Sequence, residues 1–366
     1  LRENTCDILL ISPERLNNER FLQSILPGMG GRIGLFVVDE AHCISDWGHD
    51  FRPDYRRIVR ILNMLPKGAP ILGTTATANN RVIADVQSQL GVDLLVLRGT
   101  LTRESLRLQN ITLANQSERL VWLVENLPKL PGSGIIYCLT VPDTERVTGW
   151  LKKNGFSAEA YHAGDDHTLD RPALEQLFLN NEVKILVATV ALGMGFDKPD
   201  IGFVIHFQRP GSVIAYYQQV GRAGRAVERA YGILLSGKED DEIQDYFIES
   251  AFPSVEMMDQ ILTALTKTDG LSINDILARV NISRSMLDKA LKLLEVDGAI
   301  GTTFENRTTV FFRTPNPWHP DIERIEHVTH QRRAEQMQMQ AYMIYTGCLM
   351  EFLERALDDT KPQPCG

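Results

Sequence analysis

Long apolar runs are missing from this 366-residue sequence: none reaches the ~18 residues a bilayer-crossing helix needs, and no charged-then-apolar leader opens it. A cytoplasmic protein without a membrane partner is therefore the expectation, in the cytoplasm or nucleoid if the source is prokaryotic. Cysteine is scarce too. The five (Cys6, Cys43, Cys138, Cys348, Cys365) are scattered and odd in number, which argues against a secreted disulfide framework. Cys6, Cys43 and Cys138 sit in or beside apolar runs, which predicts buried thiols. There is no basic excess either. A net charge of −9 does not advertise a polyanion binder, although Arg52, Arg56, Arg57 and Arg60, and separately Arg222 and Arg225, form local basic clusters. Internal repeats and low-complexity tracts are absent. So is any G-x-x-x-x-G-K-[ST] phosphate loop, since Gly28-Met29-Gly30-Gly31-Arg32 lacks the Lys-Ser/Thr pair. The first residue is Leu1, which suggests a native start upstream, although an expression or processing boundary would look the same.

What is present reads as globular. With 43% hydrophobic and 23% charged residues the chain can bury real cores, and at roughly 150 residues per domain it suggests two or three. From residue 7 to about 235, short apolar strands alternate with amphipathic helical stretches, the pattern of parallel α/β units. Candidate strands are Ile8–Ile11, Leu35–Val38, Ile71–Thr74, Gly134–Cys138, Ala158–Tyr161, Ile185–Ala188, Phe203–His206 and Gly232–Leu235. Ligands of open α/β sheets collect beyond the carboxyl ends of such strands. A seam falls near Arg103–Pro131, leaving only three clear strands in the first group. After Gly237 the pattern turns to helices at Met257–Leu265, Ser272–Val280 and Ser283–Glu295, then a hairpin of Ala299–Thr303 and Thr308–Arg313, a winged-helix order. Helical stretches around Ile322–Met339 and Tyr342–Leu357 follow a proline-rich break.

Two stretches carry chemistry. Asp39-Glu40-Ala41-His42 follows an apolar strand directly. In a nucleotide hydrolase the first carboxylate in such a place holds Mg²⁺, usually through water, and the second orients or deprotonates the attacking water. A solvated acidic turn is the bland alternative. The loop behind it, Cys43 to Tyr55, packs Trp47, His49, Phe51 and Arg52 together, and aromatic faces stack on unpaired bases while arginines hold phosphate. A core-closing Trp and Phe is the alternative there. In Tyr216–Arg225, Arg222 and Arg225 lie three apart among small residues and can present guanidinium groups across a lobe interface to a transferring phosphoryl group. Surface arginines paired with acidic neighbours would look the same.

The stretch Asp39–Tyr55 resembles the Walker B box and aromatic-rich loop of the RecQ family of superfamily-two DNA helicases, and the remaining motifs agree in order. Gly73–Ala78 resembles the motif coupling hydrolysis to strand displacement, which implies that His42, Thr75 and Thr77 couple the sites. Gly134–Thr140 and Ala160–Gly164 resemble DNA-contact motifs of a second RecA-like lobe, placing Thr140 and His162 on DNA. Val187–Asp200 is similar to a loop touching DNA through Thr189 and nucleotide through Gly195 and Asp197. By the same resemblance Gln218, Arg222 and Arg225 serve ATP, Arg225 being the favoured finger. The order of the later regions departs from the usual RecQ layout, so the match is confined to roughly residues 1–240.

In the later region Arg284, Lys289 and Lys292 share the polar side of one helix, suited to phosphates or a groove. Phe304–Arg307, at the hairpin, would be a strand-separating pin by resemblance, or a purely structural wing. Cys348 and Cys365 resemble the start of a tetracysteine zinc module whose last ligands would lie past Gly366.

The expectation is an α/β chain of two RecA-like parallel-sheet lobes, the first truncated (residues 1–105 and 106–237), then a winged-helix-like region (250–314) and a helical tail into an incomplete zinc module (315–366). The resemblance implies an ATP-dependent 3′-to-5′ DNA helicase that uses ATP and Mg²⁺, with Zn²⁺ possible in a longer protein. It would act on single-stranded DNA and duplex/single-strand junctions. Without the phosphate loop the 366 residues alone are not expected to hydrolyse ATP. The rival reading is a non-catalytic DNA-binding module of the second lobe and winged helix.

Overall fold

Short runs of β-branched and apolar residues, bounded by polar or glycine positions, become the strands of parallel sheets. β1 (Phe36–Val38) pairs in parallel with β2 (Ile71–Gly73), Val37 facing Leu72 in register. In a second sheet, β3 (Leu106–Thr112), β4 (Ser133–Tyr137), β5 (Ala158–Tyr161), β6 (Ile185–Ala188), β7 (Ile201–His206) and β8 (Ala230–Ser236) run parallel in the order β3-β8-β7-β4-β6-β5. These strands belong to a computed structural model describing residues 6–17, 21, 26–29, 33–45, 58, 61–62, 68–77, 79–91, 93–163, 170–192, 196–305 and 308–365.

β4, β6 and β7 are buried at every position, so they read as continuous apolar runs, as strands covered on both faces must. Alternate residues feed two cores. Ile135 and Tyr137 join Leu186, Val204 and Leu234 on one side, while Ile136 and Cys138 join Leu123, Val147, Leu151 and Ile205 on the other. The covering helices start where a short polar side chain takes an otherwise unpaired amide. Asn79, Asn115, Thr140, Asp170 and Ser212 accept from Val82, Glu118, Asp143, Ala173 and Ala215; each such cap contributes about 1 kcal/mol.

Four expectations need correction. Ile8–Ile11 forms no strand, and Ile8 and Leu10 are 79% and 91% exposed. A parallel strand exists only through a neighbour, and none of the described residues pairs with this run. Cys6 is exposed for the same reason, although Cys43 and Cys138 are buried. β3 was not anticipated: as an edge strand it alternates in burial rather than presenting an apolar run. The last helical stretch is interrupted, with one helix over Ile322–Met343 and another over Leu349–Ala356.

The chain divides into two compact units. One joins Leu1–Gln244 with Arg332–Gly366, and the other is Asp245–Gln331. Within the first, Met339, Tyr342, Met350 and Leu353 from the late residues enter the core on one face of the second sheet. The second unit has its own core. Helices Val255–Thr266, Ile273–Leu277 and Arg284–Val296 enclose Ile261, Leu265, Leu287 and Leu294 beside an antiparallel sheet. That sheet has the order β10 (Ile300–Glu305), β11 (Thr308–Arg313), β9 (Leu271–Ser272). Ser272 and Asp275 form a reciprocal capping box at the start of Ile273–Leu277.

Candidate active site

The acidic box sits where β1 ends and turns. Asp39 is exposed at the strand's carboxyl end, and its Oδ1 accepts from Thr74 Oγ1 (2.7 Å) and from the Glu40 amide (2.9 Å). Glu40 adopts a left-handed backbone (φ 51°, ψ 46°), a conformation that costs a non-glycine residue about 1–2 kcal/mol and tends to persist at functional sites. The strand ends are further laced by the Thr74 amide to the Val38 carbonyl (2.9 Å) and the Ala41 amide to the Thr74 carbonyl (2.8 Å).

His42 is fully buried behind the carboxylates. Its Nδ1 lies 3.0 Å from Thr75 Oγ1 and 3.3 Å from Glu40 Oε2, so one imidazole nitrogen touches both the acidic box and the threonine segment after β2. Thr75 Oγ1 in turn lies 3.3 Å from both the amide and the carbonyl oxygen of Thr77. The three coupling residues named from sequence thus form one continuous contact chain.

On the second lobe the helix Val213–Val220 delivers Gln218, and the turn after it carries the arginines. Arg222 is buried, and its Nη1 donates to the Phe196 carbonyl (3.0 Å). Beside it, burial raises the Tyr137 phenol above its ordinary value, with the Arg222 charge opposing. Arg225 instead donates to Asp197 Oδ1 (2.6 Å) across side chains 40% and 67% exposed. A pair that exposed contributes at most about 1 kcal/mol, so Arg225 is readily transferred to another anion.

Glu40, Thr75 and Thr77 from the first lobe and Asp197, Gln218, Arg222 and Arg225 from the second line one cleft of about 430 Å³. Glu40 and the two arginines therefore face a common space large enough for a small ligand, while Asp39 is not among the residues that line it.

Sequence reasoning missed the residues that set the arginine turn. Arg103 Nη1 donates to the carbonyls of Gly221 (2.5 Å) and Ala223 (3.0 Å), Ser105 Oγ donates to the Gly224 carbonyl (2.7 Å), and Tyr217 Oη donates to the Leu101 carbonyl (2.7 Å). Gly224 has φ 76°, and a Cβ there would come within 2.6 Å of Ser105 Oγ. Its glycine was visible in the motif, but partners more than a hundred residues away leave no local signature.

The residues assigned to DNA fall in several places. Thr140 caps the helix Val141–Lys153 and donates to Asp143 Oδ2 (2.8 Å). Asp143 also receives Gln208 Nε2 (2.6 Å) and Arg146 Nη2 (2.5 Å). His162 is buried with Nε2 2.6 Å from Glu145 Oε1, and the buried Thr189 accepts from the Ala191 amide (3.2 Å). Arg284 and Lys289 belong to the other unit, are exposed, and donate to Asp288 (3.1 Å) and the Ser250 carbonyl (3.1 Å). Trp47, His49, Phe51, Arg52 and Gly195 lie outside the described residues.

Cys348 and Cys365 meet, with Sγ atoms 3.6 Å apart and the Cys365 amide 3.4 Å from Cys348 Sγ. Burial pushes the Cys348 thiol up, but amide hydrogen bonds from Cys365 and Glu351 outweigh it and hold the thiol below its ordinary value. Cys365 is pushed up by burial and by Cys348. Among the described residues no cluster of three or more His, Cys, Asp or Glu could hold a metal ion.

Residues 1–86 match the DEAD/DEAH box helicase family and residues 116–227 the helicase conserved C-terminal domain. The probable ATP-dependent DNA helicase RecS of Bacillus subtilis is 34% identical over 282 residues, covering 76% of this chain and 56% of that protein. The putative ATP-dependent DNA helicase Q1 of Caenorhabditis briggsae is 41% identical over 224 residues, 60% of this chain and 36% of that one. The ATP-dependent DNA helicase RecQ of Pasteurella multocida is 37% identical over 226 residues, 62% and 35%. The chain thus spans about a third to a half of the length of these relatives. In fold it is similar to the helicase Lhr of Mycobacterium smegmatis, solved with single-stranded DNA and AMP-PNP, at a TM-score of 0.50 and 18% identity over 92% of this chain and 46% of that one.

Proposed function

We infer, from a chain that belongs with the superfamily-two helicases and is similar to their RecQ members, that it forms the motor of an ATP-dependent DNA helicase. The observation carrying this reading is that Glu40 and the Arg222/Arg225 pair line one cleft from opposite lobes.

Bound ATP with Mg²⁺ would supply the phosphoanhydride whose hydrolysis drives movement. Asp39 suits Mg²⁺: an exposed carboxylate, held through Oδ1 by Thr74 and an amide, is the hard oxygen donor this ion takes, commonly through water. Glu40 orients the attacking water and takes its proton. Arg225, loosely held on Asp197, and Arg222 offset negative charge on the transferring phosphoryl group. Gln218 contacts the nucleotide from the same cleft wall. The His42–Thr75–Thr77 chain carries the occupancy of this site toward DNA bound across the lobes.

Single-stranded DNA, duplex junctions and 3′-to-5′ movement are the partners and direction this reading assigns. The Asp245–Gln331 unit serves as a winged-helix-type DNA contact, with Phe304, 72% exposed near the end of its hairpin, against the last base pair. Zinc fits half a site. A tetrahedron with ~2.3 Å Zn–S bonds has an edge of about 3.8 Å, close to the observed 3.6 Å Sγ–Sγ separation, so Cys348 and Cys365 would need two further ligands.

The decisive experiment uses Glu40→Gln in the full-length protein. ATP binding is expected to persist while DNA-stimulated hydrolysis falls by at least ~100-fold, the lower range for losing a general base. Turnover near that of the unmodified protein would overturn the reading.

A further inference from the structure

A segment that no helicase motif covers borders the cleft and reaches both lobes. Its helix, Leu349–Ala356, is rooted on the second lobe: Met350 and Leu353 pack with Val213, Tyr216 and Val220, the core under the arginine-bearing helix, and Met350 also lines the cleft. Glu354, only 1% exposed, receives the Thr102 hydroxyl from the interlobe connection and the Gln363 amide (2.9 Å), which satisfies a carboxylate that would otherwise be costly to bury.

The chain then turns through Asp358 in a left-handed conformation (φ 57°) and reaches the first lobe. Asp358 Oδ2 accepts from the Asn80 amide (2.8 Å), and its carbonyl accepts from Arg98 Nη1 (2.6 Å), while Arg98 Nη2 donates to Asn80 Oδ1 (2.6 Å). Asn80 is the first residue of the helix Asn80–Leu90, where amides lack intrahelical partners and a carboxylate is favoured. That helix starts three residues after Thr77, so Asp358 holds the start of the helix that follows the cleft-lining segment Thr75–Thr77.

We propose that residues 348–363 are an interlobe strap that sets the closed geometry of the cleft, with Asp358 and Glu354 as positioning residues for the nucleotide step. This rests on the nucleotide reading of the cleft but acts at a distance from it. The strap holds the two walls in register before ligand arrives, so reacting groups do not have to find each other during turnover.

The test takes advantage of the helix start. Asn80→Pro deletes the amide that Asp358 accepts, yet proline is favoured at the first helical position, and Asn79 (φ −76°, ψ 170°) already has the extended backbone a residue before proline requires. Asp358→Gly removes the carboxylate while keeping the left-handed turn, and Asp358→Asn keeps both an acceptor and the turn. With a donor and acceptor dye at the exposed Ser88 and Lys153 of the full-length protein, the nucleotide-free interlobe distance is measured by single-molecule energy transfer. Asn80→Pro, Asp358→Gly and their combination should each shift the distribution toward longer distances, Asn80→Pro at least as far as Asp358→Gly because it also removes the Oδ1 that accepts from Arg98, with kcat for ATP falling roughly tenfold at little-changed KM. Asp358→Asn should behave as the unmodified protein. Distance distributions unchanged in both disruptive variants would overturn the strap, whatever happens to turnover. A parent protein without ATPase activity would sink the nucleotide reading instead, leaving the distance result to decide the strap alone.

Discussion

The two lobes hold their candidate site groups with different shares of packing and hydrogen bonding. In the second, β4, β6 and β7 are buried throughout, and Gln218 and Arg222 stand on a helix and turn packed into that core. In the first, β1 is buried only at Val38 and β2 at no position, with Val37 and Leu72 51% and 47% exposed, and the acidic box is located by a smaller core around Val38, Ala41 and Ile44 together with hydrogen bonds among Thr74, His42 and Thr75. Packing is non-directional and shared over many atoms, whereas a few hydrogen bonds can be broken one at a time. Site geometry should therefore fail gradually on one side of the cleft and abruptly on the other.

The sharpest break expected in the second lobe is electrostatic. Arg119 is fully buried, donates to Asp240 Oδ1 (2.8 Å) and the Phe207 carbonyl (2.7 Å), and lies 3.1 Å from Glu239. Burial already raises the Asp240 pKa against the opposing pull of Arg119. Arg119→Met strands that carboxylate and should cost about 3–5 kcal/mol, read as lost hydrogen-exchange protection in β7 and β8 with little change in β1 and β2.

A second, somewhat smaller effect depends on pH. Burial lowers the His206 pKa to about 4, with the Gln219 hydrogen bond partly opposing. The unfolded chain takes up this proton near 6.5 and the folded one only near 4. The stability contribution is therefore complete above about pH 6.5 and lost as pH falls toward 4, on the order of 3 kcal/mol across the window. Denaturant titrations at pH 7 and pH 4.5 should show this difference shrink in His206→Phe; an unchanged difference would assign the acid sensitivity elsewhere.

The smallest effect compares the lobes directly. Ile205→Val, in a fully buried site, should cost about 0.5–1.5 kcal/mol, whereas Val37→Thr on the open β1 should stay within ~0.5 kcal/mol in the same melting assay. Equal costs would mean that the first lobe is as tightly packed as the second.

What could be read from sequence follows the same division. Central strands of the second sheet such as Ile185–Ala188 announced themselves because burial on both faces forces uninterrupted apolar runs, and Ala158–Tyr161 forms as expected at one edge, buried at three of its four positions. β3 escaped because an edge strand is half exposed and alternates, and Ile8–Ile11 misled because composition favours a strand that only a neighbour can make. The acidic box and arginines were legible since their chemistry is local in sequence. Arg103, Ser105, Glu354 and Asp358 were not, because each acts on residues far away along the chain, and a carboxylate on a surface turn looks the same whatever amide it reaches.

The parallel pairing of β3 with β8 also has a bearing on biosynthesis. The second sheet can close once Ser236 has left the ribosome, but the segment carrying Asp358 follows roughly 120 residues later, after the whole Asp245–Gln331 unit, on the order of ten seconds at ribosomal speed. During that interval a nascent chain has both walls of the cleft but not the hydrogen bond from the Asn80 amide to Asp358. Translation order thus makes the Asp358–Asn80 contact last, after the segments on either side of the cleft have had time to fold.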